Sequence, residues 1–319
     1  MKLVKTFACA ALIATFSAFA QTYPGKPVRI VIPYPPGGTT DIVARLAQNR
    51  LSALLGQPVV VDNQGGATGA IGAGFVARSA PDGHTIMYTP GTDMVLRPFI
   101  MKANPVDPIK DFTPIIATIS SVDIIAATAA SPINSAKELV EHAKRNPGKL
   151  TYSTPGVSSH FHLAGELLKI HGVDIVHVPF KGGGPAVAAA AAGQTSLSLG
   201  NLTTMHAVVR DRRLKVIALI DAKRNPNLPG VPAMNEILPG YEMPGSWFAF
   251  YGPARLPGAI VARLNGDITQ AFKSPELRAK VEELNMTIIT GKPEEVTAFM
   301  RKGIETYGKI VKAAGIRPE

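Results

Sequence analysis

The chain has 319 residues, with 33 Lys and Arg against 23 Asp and Glu, which gives a formal net charge of +10. This length is enough for two domains of ordinary size, and the positive charge suits an anionic partner as well as simple solubility. The basic residues are scattered and form no run interleaved with aromatic residues, which excludes a typical nucleic-acid-binding surface.

The first twenty residues have the pattern of a signal peptide. A basic start precedes a short apolar segment, Phe7 to Phe16, and the residues from Ala18 to Ala20 have the small-x-small form of a cleavage site. We expect export and cleavage after Ala20. The single cysteine, Cys9, lies inside this segment, so the mature chain has no disulfide. No later stretch is long and apolar enough for a transmembrane helix, so we expect a soluble periplasmic protein.

The stretch Val28–Leu55 combines a strand, a glycine turn and a helix. An apolar run, Val28–Ile32, predicts a buried strand, and residues 33–38 are too rich in proline and glycine to continue it. Residues 39–41 are good N-cap types, and apolar residues then recur at helical spacing. Such a turn presents unpaired N–H groups and the positive end of a helix dipole, which can hold a small anion. The alternative for a single such motif is an ordinary βα connection without a ligand.

The same order of strand, loop and helix recurs along the chain. Loops rich in glycine or hydroxyl residues follow predicted strands at residues 62–69, 89–92, 154–159, 181–184 and 200–204. This alternation predicts α/β units with mostly parallel sheets, in which ligands bind at the carboxyl ends of strands. Residues 72–77 superficially match a dinucleotide-binding fingerprint, but they lie inside a predicted helix rather than in the turn after a strand, so we reject that interpretation.

Seven segments, in order, carry a likeness to a known family: Tyr23–Pro27, Pro35–Asp41, Gly65–Gly72, Ala80–Gly83, His162–Glu166, Val176–Gly182 and Lys312–Gly315. Together they cover nearly the whole mature chain. The ordered set resembles the Bug/TctC family, the periplasmic solute-binding receptors of tripartite tricarboxylate transporters.

The resemblance implies an α/β protein with the two-lobed, type II-like Venus-flytrap fold of periplasmic binding proteins, each lobe a mostly parallel sheet flanked by helices. The first lobe is expected to comprise residues 21–121 and 248–319, and the second residues 122–247, with two crossover strands as the hinge. The family also implies a monomer that captures a small organic carboxylate, aliphatic or aromatic, and delivers it to membrane permease subunits. It implies no cofactor, no metal and no catalytic residue.

In this family, backbone N–H groups, hydroxyls and ordered waters hold a ligand carboxylate between the lobes. Carried over residue by residue, the first lobe contributes Gly37, Gly38, Thr39, Thr40, Asp41, Ala67, Thr68, Gly69, Thr89, Gly91 and Thr92. The second lobe contributes Thr154, Ser158, Ser159, His162, Phe180, Gly200 and Asn201. For the hydroxyl residues, capping of their own helices is an equally good interpretation. A carboxylate would repel an anionic ligand, so for Asp41 we favour a role in ordering the loop.

Some positions depart from the family pattern or allow two interpretations. Many members have an aspartate at the position of Gly200, and glycine removes that acceptor and opens space, which argues for a bulkier or apolar ligand. His160 and Phe161 stand where members tend to have Ser and Pro; a core-facing Phe161 is favoured over one stacked on an aromatic ligand. Arg97 is expected at the surface, with a distal ligand carboxylate as the alternative partner.

Two other functions stay open at this level. A ligand-dependent sensor, which presents its closed lobes to a membrane kinase, would use the same closure as a transport receptor. A secreted hydrolase would use His160 and His162 as metal ligands, or Ser158 or Ser159 as a nucleophile beside His162. The sequence has neither the His-Glu-x-x-His nor the Gly-x-Ser-x-Gly pattern of such enzymes.

Overall fold

The computed structural model describes residues 23–313 and 315–318, and the predicted signal peptide lies outside these ranges. The chain has the two-lobed α/β fold that the resemblance implies, with one β-sheet in each lobe. None of the described helices is both long and apolar enough to span a bilayer.

The first sheet is built from the two ends of the chain. Its strands are β1 (Val28–Ile32), β2 (Val59–Asn63), β3 (Thr85–Pro90), β4 (Phe112–Ser121), β10 (Ser246–Pro253) and β11 (Met286–Ile288). They lie in the order β11-β4-β10-β3-β1-β2. The second sheet comes from the middle of the chain and contains β5 (Asp123–Thr128), β6 (Thr151–Thr154), β7 (Val176–Pro179), β8 (Leu197–Asn201) and β9 (Leu214–Leu219). Its order is β7-β6-β8-β5-β9.

Both sheets are mixed rather than mostly parallel, which corrects the predicted strand directions. In the described part of the chain, two of the five pairings in the first sheet and two of the four in the second are parallel. The chain leaves the first lobe along β4 and returns along β10, and it enters the second along β5 and leaves along β9. Strands β4 and β10 are neighbours in the first sheet, and β5 and β9 are neighbours in the second. The two strands of each pair therefore run in opposite directions.

The two crossings between the lobes lie side by side. Val122 alone separates β4 from β5, whereas the sequence predicts one continuous strand-like segment over residues 115–127. The second crossing lies between β9 and β10. Ser246 and Trp247 already belong to β10 and pair with β4, so the first sheet resumes two residues before the expected limit of the second lobe.

Helices follow most strands and cover both sheets. They are α1 (Thr39–Leu55), α2 (Ala70–Ala77), α3 (Gly91–Ile100), α4 (Ala136–Arg145), α5 (His160–Ile170), α6 (Gly183–Ala191), α7 (Leu202–Arg210), α8 (Met234–Ile237), α9 (Gly258–Phe272), α10 (Pro275–Glu283) and α11 (Pro293–Ala313). A 3-10 turn, Ala67–Gly69, precedes α2. The long C-terminal helix α11 packs on α3 and β4.

Helix α1 shows how burial fixes the position of the first loop. Val43, Ala47, Leu51 and Leu55 are buried at helical spacing and face the core of the first sheet. Strand β1 is buried in the same core. With both flanking elements held in place, residues 33–38 are positioned as a short, well-anchored loop at the carboxyl end of β1.

Candidate functional site

The loop before α1 is ordered by its own side chains. The Gly37 N–H donates to Asp41 Oδ2 at 3.0 Å, and Arg45 Nε donates to Asp41 Oδ1 at 2.9 Å. Asp41 therefore holds the start of the helix, which is the role favoured from the sequence. The N-cap residue of α1 is Gly38, which has no side chain to accept a hydrogen bond. The first N–H groups of α1 therefore have no capping side chain at this position.

The second glycine loop rests on a buried polar cluster. The Thr68 carbonyl accepts from Arg97 Nη2 at 3.2 Å. The Tyr34 hydroxyl lies 3.3 Å from the same carbonyl and donates its hydrogen to Asp93 Oδ2. Arg97 is 1% exposed, so the expected surface position of Arg97 is wrong. Its guanidinium supports the backbone of the loop that contains Ala67, Thr68 and Gly69.

The loops of the two lobes meet directly. Thr39 Oγ1 lies 2.9 Å from Thr204 Oγ1 and donates to Asn201 Oδ1 at 3.4 Å. Thr68 Oγ1 donates to the Val157 carbonyl, and a Cβ added at Gly184 would lie 3.3 Å from the carbonyl oxygen of residue 36. The structure thus brings the predicted residues Thr39, Thr68 and Asn201 together at the interface between the lobes.

The predicted hydroxyl residues of the second lobe form hydrogen bonds within the protein. Ser159 is the N-cap of α5: its Oγ accepts from the His162 N–H at 3.2 Å and donates to the Gly156 carbonyl at 2.8 Å. Thr154 Oγ1 lies 2.7 Å from His177 Nε2, and Ser158 Oγ donates to the carbonyl of Ile100 at 3.2 Å. The Ser159 contacts fit the interpretation that such residues cap their own helix, whereas Ser158 contacts the first lobe at Ile100.

Other predicted residues differ in the space around them. A Cβ added at Gly38, which is buried, would meet no atom within 4 Å, so this backbone borders open space. At Gly200 the expected space is filled instead, because an added Cβ would lie 2.9 Å from the methyl group of Met205. The buried hydroxyl of Thr89 has no hydrogen-bond partner among residues 23–313 and 315–318.

Five further residues considered in the sequence analysis lie in different parts of the structure. Gly91 packs against Trp247 so closely that an added Cβ would overlap the indole ring. Thr92 lines a separate cavity beside the hinge, together with Trp247 and Tyr307. Phe180 is half-buried and its N–H donates to the Thr154 carbonyl at 3.0 Å. Thr40 is buried in the first turn of α1. Phe161 is 5% exposed and belongs to the core, as favoured from the sequence.

A pair of stacked histidines lies behind the second-lobe loop. The rings of His162 and His177 are 4.1 Å apart at an interplanar angle of 14°. Burial, and then the charges of His162 and Lys169, lower the pKa of His177 from 6.5 to about 3. His177 is therefore a neutral hydrogen-bond partner of Thr154 across the physiological range.

The lowered pKa of His177 predicts that the folded state becomes less stable as the pH decreases. Between pH 6.5 and about 3 the unfolded chain binds a proton at His177 that the folded chain does not bind, so the free energy of unfolding decreases as the pH falls. We expect His177→Gln, which keeps a hydrogen-bonding side chain, to show a shallower decrease below pH 6.5 than the wild type. Denaturant unfolding from pH 7.5 to 4 measures both slopes, and parallel profiles would contradict the assignment.

The sequence analysis missed a buried network at the hinge. Asp123, which is fully buried, accepts from Ser246 Oγ at 2.7 Å, from the Ser246 N–H at 3.1 Å and from Asn201 Nδ2 at 2.7 Å, and it lies 3.0 Å from His160 Nε2. His160 Nδ1 lies 2.7 Å from the Tyr307 hydroxyl, and the His160 N–H donates to Asp93 at 3.0 Å. The network thus connects residues at both crossings with residues of both lobes. The sequence feature that could have indicated this network is the single acidic residue, Asp123, inside the apolar segment 115–127.

The same contacts bear on the hydrolase alternative. Both ring nitrogens of His160 face partners inside the network, and Ser158 Oγ faces a backbone carbonyl rather than a histidine. Within the described ranges, no group of three or more His, Cys, Asp or Glu residues is placed to hold a metal ion. Ser158 Oγ and Ser159 Oγ thus each donate to a backbone carbonyl, whereas a serine nucleophile would donate to its base.

Comparison with known proteins agrees with this geometry. A model of the tripartite tricarboxylate transporter family receptor, TctC, matches residues 43–316. A UPF0065 protein in the tcbD-tcbE intergenic region of Pseudomonas sp. strain P51 is 31% identical over 305 residues, covering 94% of this chain and 90% of that protein.

Two solved structures of similar proteins were determined with a dicarboxylate. An R. palustris protein solved with adipate is 32% identical, with a TM-score of 0.89, over 93% of this chain and 100% of that chain. MatC from Rhodopseudomonas palustris, with bound malate, is 28% identical, with a TM-score of 0.83, over 91% of this chain and 100% of that chain. The chain belongs to the TctC family of tripartite tricarboxylate transporter receptors, a family of solute-binding proteins rather than enzymes.

Proposed function

We propose that this protein captures a small aliphatic dicarboxylate between its two lobes. The observation that carries the proposal is the direct meeting of the two sets of loops, in which Thr39 at the start of α1 contacts Thr204 at the start of α7. The first turns of helices α1 and α7 therefore lie next to each other. Two helix N-termini facing one space supply N–H donors and a positive potential that suit a carboxylate.

The ligands of two related proteins and the residue types of the predicted site both favour an aliphatic dicarboxylate. The carboxylate ligands of the two solved relatives, adipate and malate, are both aliphatic dicarboxylates. Met205 fills the space beside Gly200, which disfavours a bulky aromatic group there. The predicted site residues include no Lys or Arg, so backbone N–H groups and hydroxyls would hold the ligand, directly or through water.

Binding would work through lobe closure. A ligand that contacts α1 and α7 together stabilises the closed arrangement by its difference in affinity for the closed and open forms. We propose that the mature periplasmic chain, cleaved after Ala20, acts as a monomer with lobes at 21–121 plus 248–319 and 122–247, adjusted so that Ser246 and Trp247 join the first. The closed receptor would deliver its ligand to membrane permease subunits.

A ligand panel tests the proposal. We expect adipate or malate to raise the melting temperature of the purified mature chain, because a ligand at a hundred times its Kd adds about 2.7 kcal/mol to the stability of the folded state. The matched control is adipamide, which keeps the length of adipate and removes both charges, and which should give no shift. Absence of any shift with aliphatic dicarboxylates at millimolar concentration, or an equal shift with the diamide, would contradict the proposal.

A further inference from the structure

The loop that leads into helix α5 is hydrogen-bonded to the first lobe. The Val157 carbonyl accepts from Thr68 Oγ1, and Ser158 Oγ donates to the Ile100 carbonyl at 3.2 Å. Thr68 and Ile100 belong to the first lobe, whereas Val157 and Ser158 belong to the second. Each bond joins two protein groups directly, and both bonds would break if the two lobes moved apart at this point.

His160, the first residue of α5, adds two contacts across the same interface. Its N–H donates to Asp93 Oδ1 at 3.0 Å, and its ring Nδ1 lies 2.7 Å from the Tyr307 hydroxyl. Asp93 lies on α3 and Tyr307 on α11, so both partners belong to the first lobe. The side chains of His160 and Tyr307 are buried. Residues 157–160 thus make these four hydrogen bonds to the first lobe, and we call the segment the latch.

Asp123 fixes the orientation of the His160 ring. Its Oδ2 lies 3.0 Å from His160 Nε2, and a carboxylate oxygen accepts hydrogen bonds but cannot donate them. The hydrogen of the neutral ring therefore belongs on Nε2, which leaves Nδ1 to accept from the Tyr307 hydroxyl. Removal of this hydroxyl would break one bond of the latch and leave His160 bonded to Asp123.

Two residues at this interface have an unfavourable backbone conformation. Thr68 has a φ of 48° and Ser158 a φ of 62°, in the left-handed region that residues with a side chain rarely adopt. Such conformations persist where surrounding contacts compensate for their cost. Both side chains donate a hydrogen bond to the opposite lobe, so part of this compensation exists only while the lobes are together.

We propose that the latch holds the two lobes together before a ligand binds, with His160 and Tyr307 as its positioning residues. The latch places the start of α5, which contains the predicted site residues Ser159 and His162, against the first lobe. Tyr307 belongs to α11, which contributes none of the predicted site residues, so the C-terminal helix would control closure from outside the site. The latch does not depend on the identity of the ligand, whereas its effect on ligand capture rests on the proposed function.

Hydrogen exchange of the ligand-free mature chain, measured by NMR at the His160 amide, tests the latch. This N–H has no acceptor within its own helix, so its protection comes from Asp93 in the opposite lobe. We expect Tyr307→Phe to accelerate its exchange about fivefold, the effect of removing one typical hydrogen bond from the closed form. The matched control is Tyr88→Phe, which removes a buried hydroxyl bonded to Thr118 at 2.8 Å within the first lobe and should leave this rate unchanged.

A second variant keeps the test decisive if Tyr307→Phe does not fold. Ser158→Ala removes the bond to Ile100 and should accelerate His160 exchange by a similar factor. Unchanged exchange in both latch variants, or equal acceleration in Tyr88→Phe, would overturn the proposal. An unprotected His160 amide in the wild type would also overturn it, because the lobes would then be apart without a ligand.

Addition of adipate separates the latch from the proposed function. We expect saturating adipate to slow the exchange of the His160 amide further, because the ligand must leave before the lobes separate. If adipate has no effect while Tyr307→Phe still accelerates exchange, the proposed dicarboxylate is contradicted and the latch is supported. If adipate slows exchange but Tyr307→Phe and Ser158→Ala do not accelerate it, the latch is contradicted and the proposed function is supported.

Discussion

Replacement of Asp123 by alanine is expected to lower the free energy of unfolding by about 3–5 kcal/mol. The carboxylate accepts hydrogen bonds from Ser246 and Asn201 and faces His160; Asp123, Ser246 and His160 are buried. Alanine would leave these donors buried without an acceptor, and each unsatisfied group costs about 1–3 kcal/mol. Urea unfolding of both chains, followed by circular dichroism, measures the difference.

The control for this prediction is another aspartate in the same lobe. The side chain of Asp211 is 56% exposed and its ion pair with Arg210 lies at the surface, so Asp211→Ala should change stability by less than about 0.5 kcal/mol. A loss below about 1 kcal/mol for Asp123→Ala would show that the hinge relaxes around the missing carboxylate.

Replacement of Gly38 by aspartate is expected to abolish most dicarboxylate binding while the fold is kept. An added side chain meets open space, and Gly38 has φ −86° and ψ 168°, which any residue adopts. Aspartate and asparagine are both good N-caps, so stability without ligand should not fall. The aspartate charge, however, would lie where the ligand carboxylate is proposed to bind.

The matched variant is Gly38→Asn, which has the same shape without the charge. Two like charges about 4 Å apart repel by about 4 kcal/mol in an environment with an effective dielectric constant near 20. We therefore expect the aspartate variant to bind adipate or malate at least about tenfold more weakly than the asparagine variant. Isothermal titration calorimetry compares them, and equal affinities would show that no anion binds at the start of α1.

Local patterns were enough to predict much of the fold. The strand Val28–Ile32 and helix α1 follow from runs and spacings within a few residues. The resemblance implied a boundary between the lobes at residues 121/122, whereas the apolar segment 115–127 alone predicted one strand; the structure divides it into β4 and β5 at Val122. The sequence predicts a loop over residues 89–92, whereas helix α3 already begins at Gly91; no helix was predicted there, since Gly91 and Pro98 are unusual residues in a helix.

The candidate site was predictable as a set of loops but not as a set of contacts. Asp93 and Arg97 are four residues apart, a spacing typical of an exposed helix face, yet both are buried because α11 packs on α3. The partners of Asp123 come from residues 160, 201 and 246, which lie far apart in the sequence. Such long-range pairings depend on the tertiary fold and leave no local pattern.

The position of β10 has a consequence for the order of folding. This strand lies between β3 and β4, so the first sheet stays split until residues 246–253 join it. The second sheet needs only residues 123–219, and these lie between the two crossings. During synthesis, which proceeds from the N-terminus, the second lobe can complete its sheet first. The sheet that contains β1 to β4 is completed only after β10 has been made. A chain truncated before Ser246 should therefore retain protected amides in β5 to β9 and lack them in β1 to β4.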